Sequence, residues 1–244
     1  MRRLMVMVSL LVLLGMACTF DVQTFTPTTE IPVSTPTTGP DVPANGQVLD
    51  GPDINYNGIR FALDPAIGSR LYVFEDVLTI EGATAHNIRF GLAPEEYCKT
   101  WCLMVYPVAE FEQAFGTFVF PPAGYRGGAA VIFEAQKKAL SFQNGAGDRS
   151  LETFAQSHYA VSNESLNYVF RGFSTDKKYA VYVQIPIHAS SLPDVAPTLE
   201  FNSPDVLDYN QKTAESMNLL TAGDFTPNLE LLDALVASIH VETP

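Results

Sequence analysis

Apolar residues recur at every second position from Tyr179 through Val181, Val183 and Ile185 to Ile187. Side chains alternate between the faces of an extended chain, so this period commits the segment to a strand with one buried face and excludes a helix. Leu166, Tyr168 and Phe170 repeat the pattern just upstream. The residues between, Ser174-Thr175-Asp176-Lys177, carry the turn chemistry of an antiparallel hairpin. Shorter alternating sets occur at Ile59/Phe61/Leu63, Ile88/Phe90/Leu92 and Leu103/Val105. A chain written mostly in period two has to build sheet, and hydrophobic residues at 47% supply a sizeable core.

Helical spacing is confined to a few places. Val108, Phe111 and Phe115 follow Pro107 and stop at Gly116; Ile132, Ala135 and Ala139 predict a second short helix. Ser203-Pro204 and Thr226-Pro227 each read as an N-cap with proline at the first helical position. They lead into Val206/Tyr209/Thr213/Met217/Leu220 and Leu229/Leu232/Val236/Ile239, and Glu230 and Asp233 sit where the last helix dipole favours negative charge. The fold class is therefore α+β: a mostly antiparallel sheet with flanking helices, two of them C-terminal, in one domain over residues 53–244.

The N-terminus reads differently. Arg2 and Arg3 precede an apolar run over residues 4–14, and Gly15-Met16-Ala17 places small residues where a signal peptidase reads. The run is too short to span a bilayer, which takes about 20 apolar residues. Residues 1–17 are thus a signal peptide. Cys18 directly after Ala17 resembles the lipobox of bacterial lipoproteins, although Gly15 stands where that pattern prefers leucine; ordinary cleavage after Ala17 is the alternative. The resemblance implies a lipid (diacyl, palmitate-type) on Cys18. Residues 18–52 then form a tether, because a Thr/Pro-rich stretch cannot bury enough apolar area to offset its ordering entropy.

The chain carries 27 acidic and 14 basic residues, a formal charge of −13, and losing Arg2 and Arg3 takes it to −15. No basic cluster larger than Lys137-Lys138 or Lys177-Lys178 exists, which argues against a nucleic-acid partner.

Cys98 and Cys102 remain as an even pair in an oxidising compartment. Residues four apart on a strand lie about 13 Å apart, and a disulfide needs Cα atoms within about 7 Å, so a bridge requires a turn there. A structural disulfide before the Leu103 strand is the favoured reading over a redox pair or half a zinc site, since His86, His158, His188 and His240 show no ligand spacing.

Other motifs are weak. Asp53, Asn55, Asn57, Gly58 and Asp64 follow a calcium-loop spacing, but Ile59/Phe61/Leu63 alternate as a strand and no helix precedes them. Ser174 and Lys177 match the S-x-x-K of serine acylases in what reads as a hairpin turn. Gly145-Ala146-Gly147 follows a strand without leading into a helix, so it reads as a turn and not a phosphate loop. Asn163-Glu164-Ser165 is a glycosylation sequon. No catalytic, cofactor or metal residue is assigned.

The stretch over residues 139–149 with Ala155-Gln156, then residues 166–173, Lys178-Tyr179, Pro186-Ile187 and Leu192-Pro193, resembles a family of exported bacterial lipoproteins of unknown function. Tyr56-Asn57-Gly58, Phe61, Asp64-Pro65, Val105-Tyr106-Pro107, Phe225-Thr226-Pro227, Leu232-Asp233 and Ser238-Ile239 also fit it. The resemblance implies export and a lipid anchor but no mechanism. At the level of fold, the pattern is similar to the α/β/α sandwich of PsbP/Mog1-type domains.

These readings converge on a lipid-anchored protein facing outside the cytoplasm, acting as a non-enzymatic binding or accessory module of the cell envelope for an unknown protein or small molecule. A hydrolase whose carboxylates converge only in the fold and a purely structural envelope protein are the alternatives. A pocket lined by Asp/Glu with a shifted pKa would mark the first, and the lack of any deep pocket the second.

Overall fold

The computed structural model describes residues 46–93, 101–120 and 129–242, with only the backbone described at Ile80. Cys18, Cys98 and most of the predicted tether lie outside these residues.

Eight strands make one sheet: β1 (Gln47–Asp50), β4 (Arg70–Ile80), β5 (Ala83–Gly91), β6 (Cys102–Pro107), β7 (Ala130–Phe142), β8 (Gly145–Ala155), β9 (Asn167–Ser174) and β10 (Tyr179–Pro186). Their order across the sheet is β1-β4-β5-β6-β10-β9-β8-β7, and every neighbouring pair is antiparallel. A second sheet joins β2 (Asp53–Tyr56), β3 (Ile59–Ala62) and β13 (His240–Val241), while β11 (His188–Ala189) pairs with β12 (Phe225–Thr226). Three helices complete the fold: α1 (Val108–Phe115), α2 (Pro204–Met217) and α3 (Leu229–Ser238). The predicted α+β class and antiparallel sheet are therefore observed.

Both faces of the large sheet are buried. On the first, Val73, Phe90, Val105, Phe170, Val181, Val183 and Ile185 form one core with Ile54, Ile59 and Phe61 of the small sheet and with Leu229, Leu232 and Val236 of α3. On the second, Met104, Tyr106, Val169, Ala180 and Tyr182 pack with Val108 and Phe111 of α1. This explains why β6 reads as a continuous apolar run, Cys102 to Tyr106 all being buried.

Two tight hairpins follow from turn chemistry. Asn57-Gly58 joins β2 to β3 and Glu81-Gly82 joins β4 to β5, all four residues at positive φ, the backbone that two-residue turns require. Ser174 begins the predicted β9–β10 hairpin turn, its hydroxyl donating to Asp176 Oδ1 at 2.7 Å. Helix α1 ends at Gly116, φ 84°, and Ser203 caps α2 by accepting from the Val206 N–H, both as expected.

Four sequence expectations require correction. Ile132, Ala135 and Ala139 lie in β7, not in a helix: register shifts between Val131 and Phe133 and between Ala135 and Lys138 bulge the strand, and Gln136 takes φ 54°. Ala135 is buried and Ala139 exposed, so the three- and four-residue spacing of Ile132, Ala135 and Ala139 marks no common buried face. Helix α3 is capped by Asn228, whose side chain accepts from Glu230 N at 2.7 Å, while Thr226 is occupied in β12. The sheet begins at Gln47, inside the stretch read as tether, because β1 contributes backbone bonds to β4 with little apolar composition to announce it. Gly145 and Gly147 belong to β8; side chains there would strike the Phe142 ring and the Arg171–Gly172 backbone.

Asp233 fastens α3 to the sheet. Its carboxylate accepts from Lys138 Nζ at 2.9 Å, Arg149 Nε at 3.2 Å and the Tyr168 hydroxyl at 3.1 Å. Arg149 also donates to the Gln136 carbonyl at the bulge, and Gln136 binds the Met217 carbonyl at the end of α2. Burial, and then the Asp233 charge, push the Tyr168 phenol far above its ordinary range.

Asp233→Ala leaves Arg149, its side chain 6% exposed, without a counter-charge. The expected cost is about 3–5 kcal/mol, read as a lower urea midpoint at unchanged m. Above about pH 10 an unfolded tyrosine ionises while folded Tyr168 keeps its proton, so the stability it contributes at lower pH is lost as pH rises. Urea midpoints taken toward alkaline pH are expected to decline, and Tyr168→Phe to flatten that decline.

Candidate functional site

A cavity of about 300 Å³ opens where the small sheet overlies β4, β5, β6 and β10. Its origin is local. The β5–β6 ladder stops at Ile88↔Val105, and β6 ends two residues later at Pro107, where the chain turns into α1. Ile59, Ile88, Val105, Pro107, Tyr179 and Val241 line it with apolar surface. Asn57, Glu75, His86 and Glu242 supply its polar groups.

Each polar group is held by a different partner. Glu75 Oε1 accepts from the Tyr56 hydroxyl at 2.9 Å and from Asn57 Nδ2 at 3.1 Å. Tyr56 is pushed above its ordinary pKa by burial and by that carboxylate. Glu242 meets His240 Nε2 at 2.5 Å and Arg60 at 3.2 Å; the hydrogen bond to His240, reinforced by Arg60, draws it below the usual carboxylate range. His86 Nδ1 lies 2.5 Å from Glu110 Oε1, which also accepts the His86 backbone N–H at 3.0 Å.

Asn87 borders the cavity as well. Strand alternation sends its side chain to the opposite face from His86 and Ile88, where both amide atoms are buried with no hydrogen-bond partner among the described residues.

The motifs singled out in the sequence do not assemble elsewhere. Asp53, Asn55, Asn57 and Gly58 form a β-hairpin, Asp53 opposite Ala62, so their side chains do not encircle an ion. Among the described residues no group of three or more His, Cys, Asp or Glu side chains gathers as metal ligands. Lys177 sits in the hairpin turn at φ 58°, and its S-x-x-K partner Ser174 is committed to Asp176. Asn163 is buried, its amide donating to the Leu192 carbonyl at 2.7 Å and accepting from Ala189 N at 2.8 Å, which denies it to glycosylation. Cys102 is buried at the start of β6, and Cys98 lies outside the described residues.

Two polar clusters escaped sequence reading. Ser150 donates to Glu152 Oε1 at 2.5 Å, and Arg171 grips both Glu152 oxygens, at 2.5 and 2.7 Å, so the serine faces a carboxylate already committed to a guanidinium. Arg89 pairs with Asp76 Oδ2 at 2.7 Å and stacks over Phe74. A wider depression of about 520 Å³ between residues 191–197 and α2 contains Lys212, which is tied to Asp208 at 2.7 Å.

No protein-family model matches the chain, and no curated protein or solved structure does either.

An unmet buried amide costs about 1–3 kcal/mol. Asn87→Leu is therefore expected to raise Tm by at least about 2 °C; a lower Tm in a thermal melt would show that the amide has a stabilising partner.

Proposed function

We propose that the chain is an exported lipoprotein, cleaved before Cys18, lipidated there, and held at a membrane surface facing outside the cytoplasm. Its domain works as a non-enzymatic binding module of the cell envelope. The observation that carries binding is the cavity: apolar walls drawn from distant segments, with a few polar groups at its edge, are how small-molecule sites are built. Its titratable groups already have structural partners, Glu242 with His240 and His86 with Glu110.

Export is supported by the signal-like N-terminus, the cysteine after Ala17 and the Thr/Pro-rich stretch. The resemblance to exported lipoproteins of unknown function points the same way. A Cys98–Cys102 bridge fits an oxidising compartment. We read the layering, α1 on one face of the sheet and α3 with the small sheet on the other, as sandwich-like in the manner of PsbP/Mog1-type domains.

One observation favours hydrolysis instead: Glu75 and Glu242 border the same cavity. Glu242, however, is drawn downward in pKa, the direction opposite to that of a general acid.

The deciding measurement is the intact mass of the mature protein taken from membranes, with and without reduction. The expected mass carries a diacyl or triacyl adduct on Cys18 and gains two hydrogens on reduction. A mass starting at an unmodified Cys18 overturns the tethered reading.

A further inference from the structure

The cavity also indicates the class of molecule it takes. Three carboxylates stand at or beside it: Glu75, Glu242 and Glu110. Glu242 pairs with the Arg60 guanidinium and hydrogen-bonds His240, and Glu110 hydrogen-bonds both the His86 ring and the His86 backbone N–H. Glu75 differs. Its partners, the Tyr56 hydroxyl and the Asn57 amide, are both neutral and both on Oε1; among the described residues no cation pairs with it and nothing donates to Oε2. An exposed carboxylate whose Oε2 takes no donor from the described residues therefore borders an apolar chamber lined by Ile59, Ile88, Val105 and Tyr179. The chain as a whole is acidic, −13, which draws cations toward it and repels anions.

Resting on the binding reading above, we propose that this cavity binds a small organic ammonium: an apolar body seated on Ile88 and Val105, with its N–H groups donating to Glu75 Oε2. At about 30 Å³ for each water-sized unit, a chamber of 300 Å³ holds a molecule of roughly ten non-hydrogen atoms. That size suits a free amine better than a folded partner, whose interface needs about 800 Å² from each side.

Glu75→Gln isolates the charge. The glutamine Oε1 still accepts from Tyr56 and Asn57, so the β2–β3 hairpin keeps its attachment to β4, while the carboxylate's affinity for a cation is removed. Glu215→Gln is the matched control, since it removes one negative charge from the exposed face of α2, away from the cavity.

The test is calorimetric titration of the full chain with 2-phenylethylammonium, its neutral analogue 2-phenylethanol, and 3-phenylpropanoate. The ammonium is expected to bind at least tenfold more tightly than the alcohol, and the anion more weakly than either. Glu75→Gln is expected to erase the gap between ammonium and alcohol, Glu215→Gln to leave it within about twofold, and added salt to narrow it. Equal binding of ammonium and alcohol, or a gap that survives Glu75→Gln, overturns the ammonium assignment and leaves the binding module standing. Failure of all three probes to bind overturns both.

Discussion

A carboxylate taken out of water has to be answered by positive charge or hydrogen-bond donors, and Asp233 is answered from three strands at once. Lys138 of β7, Arg149 of β8 and Tyr168 of β9 all reach it, so α3 is fixed at one height and one rotation over the sheet. Desolvation makes such a cluster costly, and removing one member exposes the cost in the others. The arrangement propagates in both directions. Arg149 and Gln136 carry it to the end of α2, and the last turn of α3 leads through Ile239 into β13. Because β13 pairs with β3 and brings Val241 and Glu242 to the cavity, the site depends on a charge that lies outside it.

The sheet divides its chemistry by face. The first face is apolar except for the Asp233 cluster and the cavity rim. The second mixes aromatic packing around α1 with two charge pairs, Arg89–Asp76 and Arg171–Glu152, each with a partner almost fully buried. Both guanidiniums make two bonds to their carboxylate, the geometry that best offsets desolvation. Ser150, beside the Arg171–Glu152 pair, and Ser174, at the β9–β10 turn, each donate to a carboxylate, and no histidine or lysine among the described residues is hydrogen-bonded to either hydroxyl.

The cavity is shaped by strand ends and pinned side chains. Its floor is set by where β6 stops pairing with β5, a consequence of Pro107 ending the strand, and its rim by side chains whose partners hold them in place. In the function proposed above, a Thr/Pro-rich tether would give the domain reach away from a membrane surface.

Much of this fold is legible locally. Period two in Tyr179 to Ile187 depends only on a strand having two faces, and Asn57-Gly58 turns because those residues tolerate positive φ. Pro107 and Gly116 bracket α1, and Ser203-Pro204 starts α2, by rules that act within a few residues. Where a local rule met a tertiary demand, the demand prevailed: β7 drew a helix-like spacing into the sheet, β12 took Thr226 away from its cap, and β1 joined the sheet from a stretch too polar to read as core. The candidate site was hardly legible at all. Asn57 drew notice only as part of a calcium-like spacing, and Glu75 carried no motif. By itself the sequence determined β3, β5, β6, β9 and β10, the caps that end α1 and start α2, and the acidic character, because each rests on neighbours along the chain. Only the tertiary structure decided that Asn57, Ile59, Glu75, Ile88, Val105, Tyr179 and Glu242 border one chamber, because nothing in a sequence records which distant side chains a sheet order brings within contact.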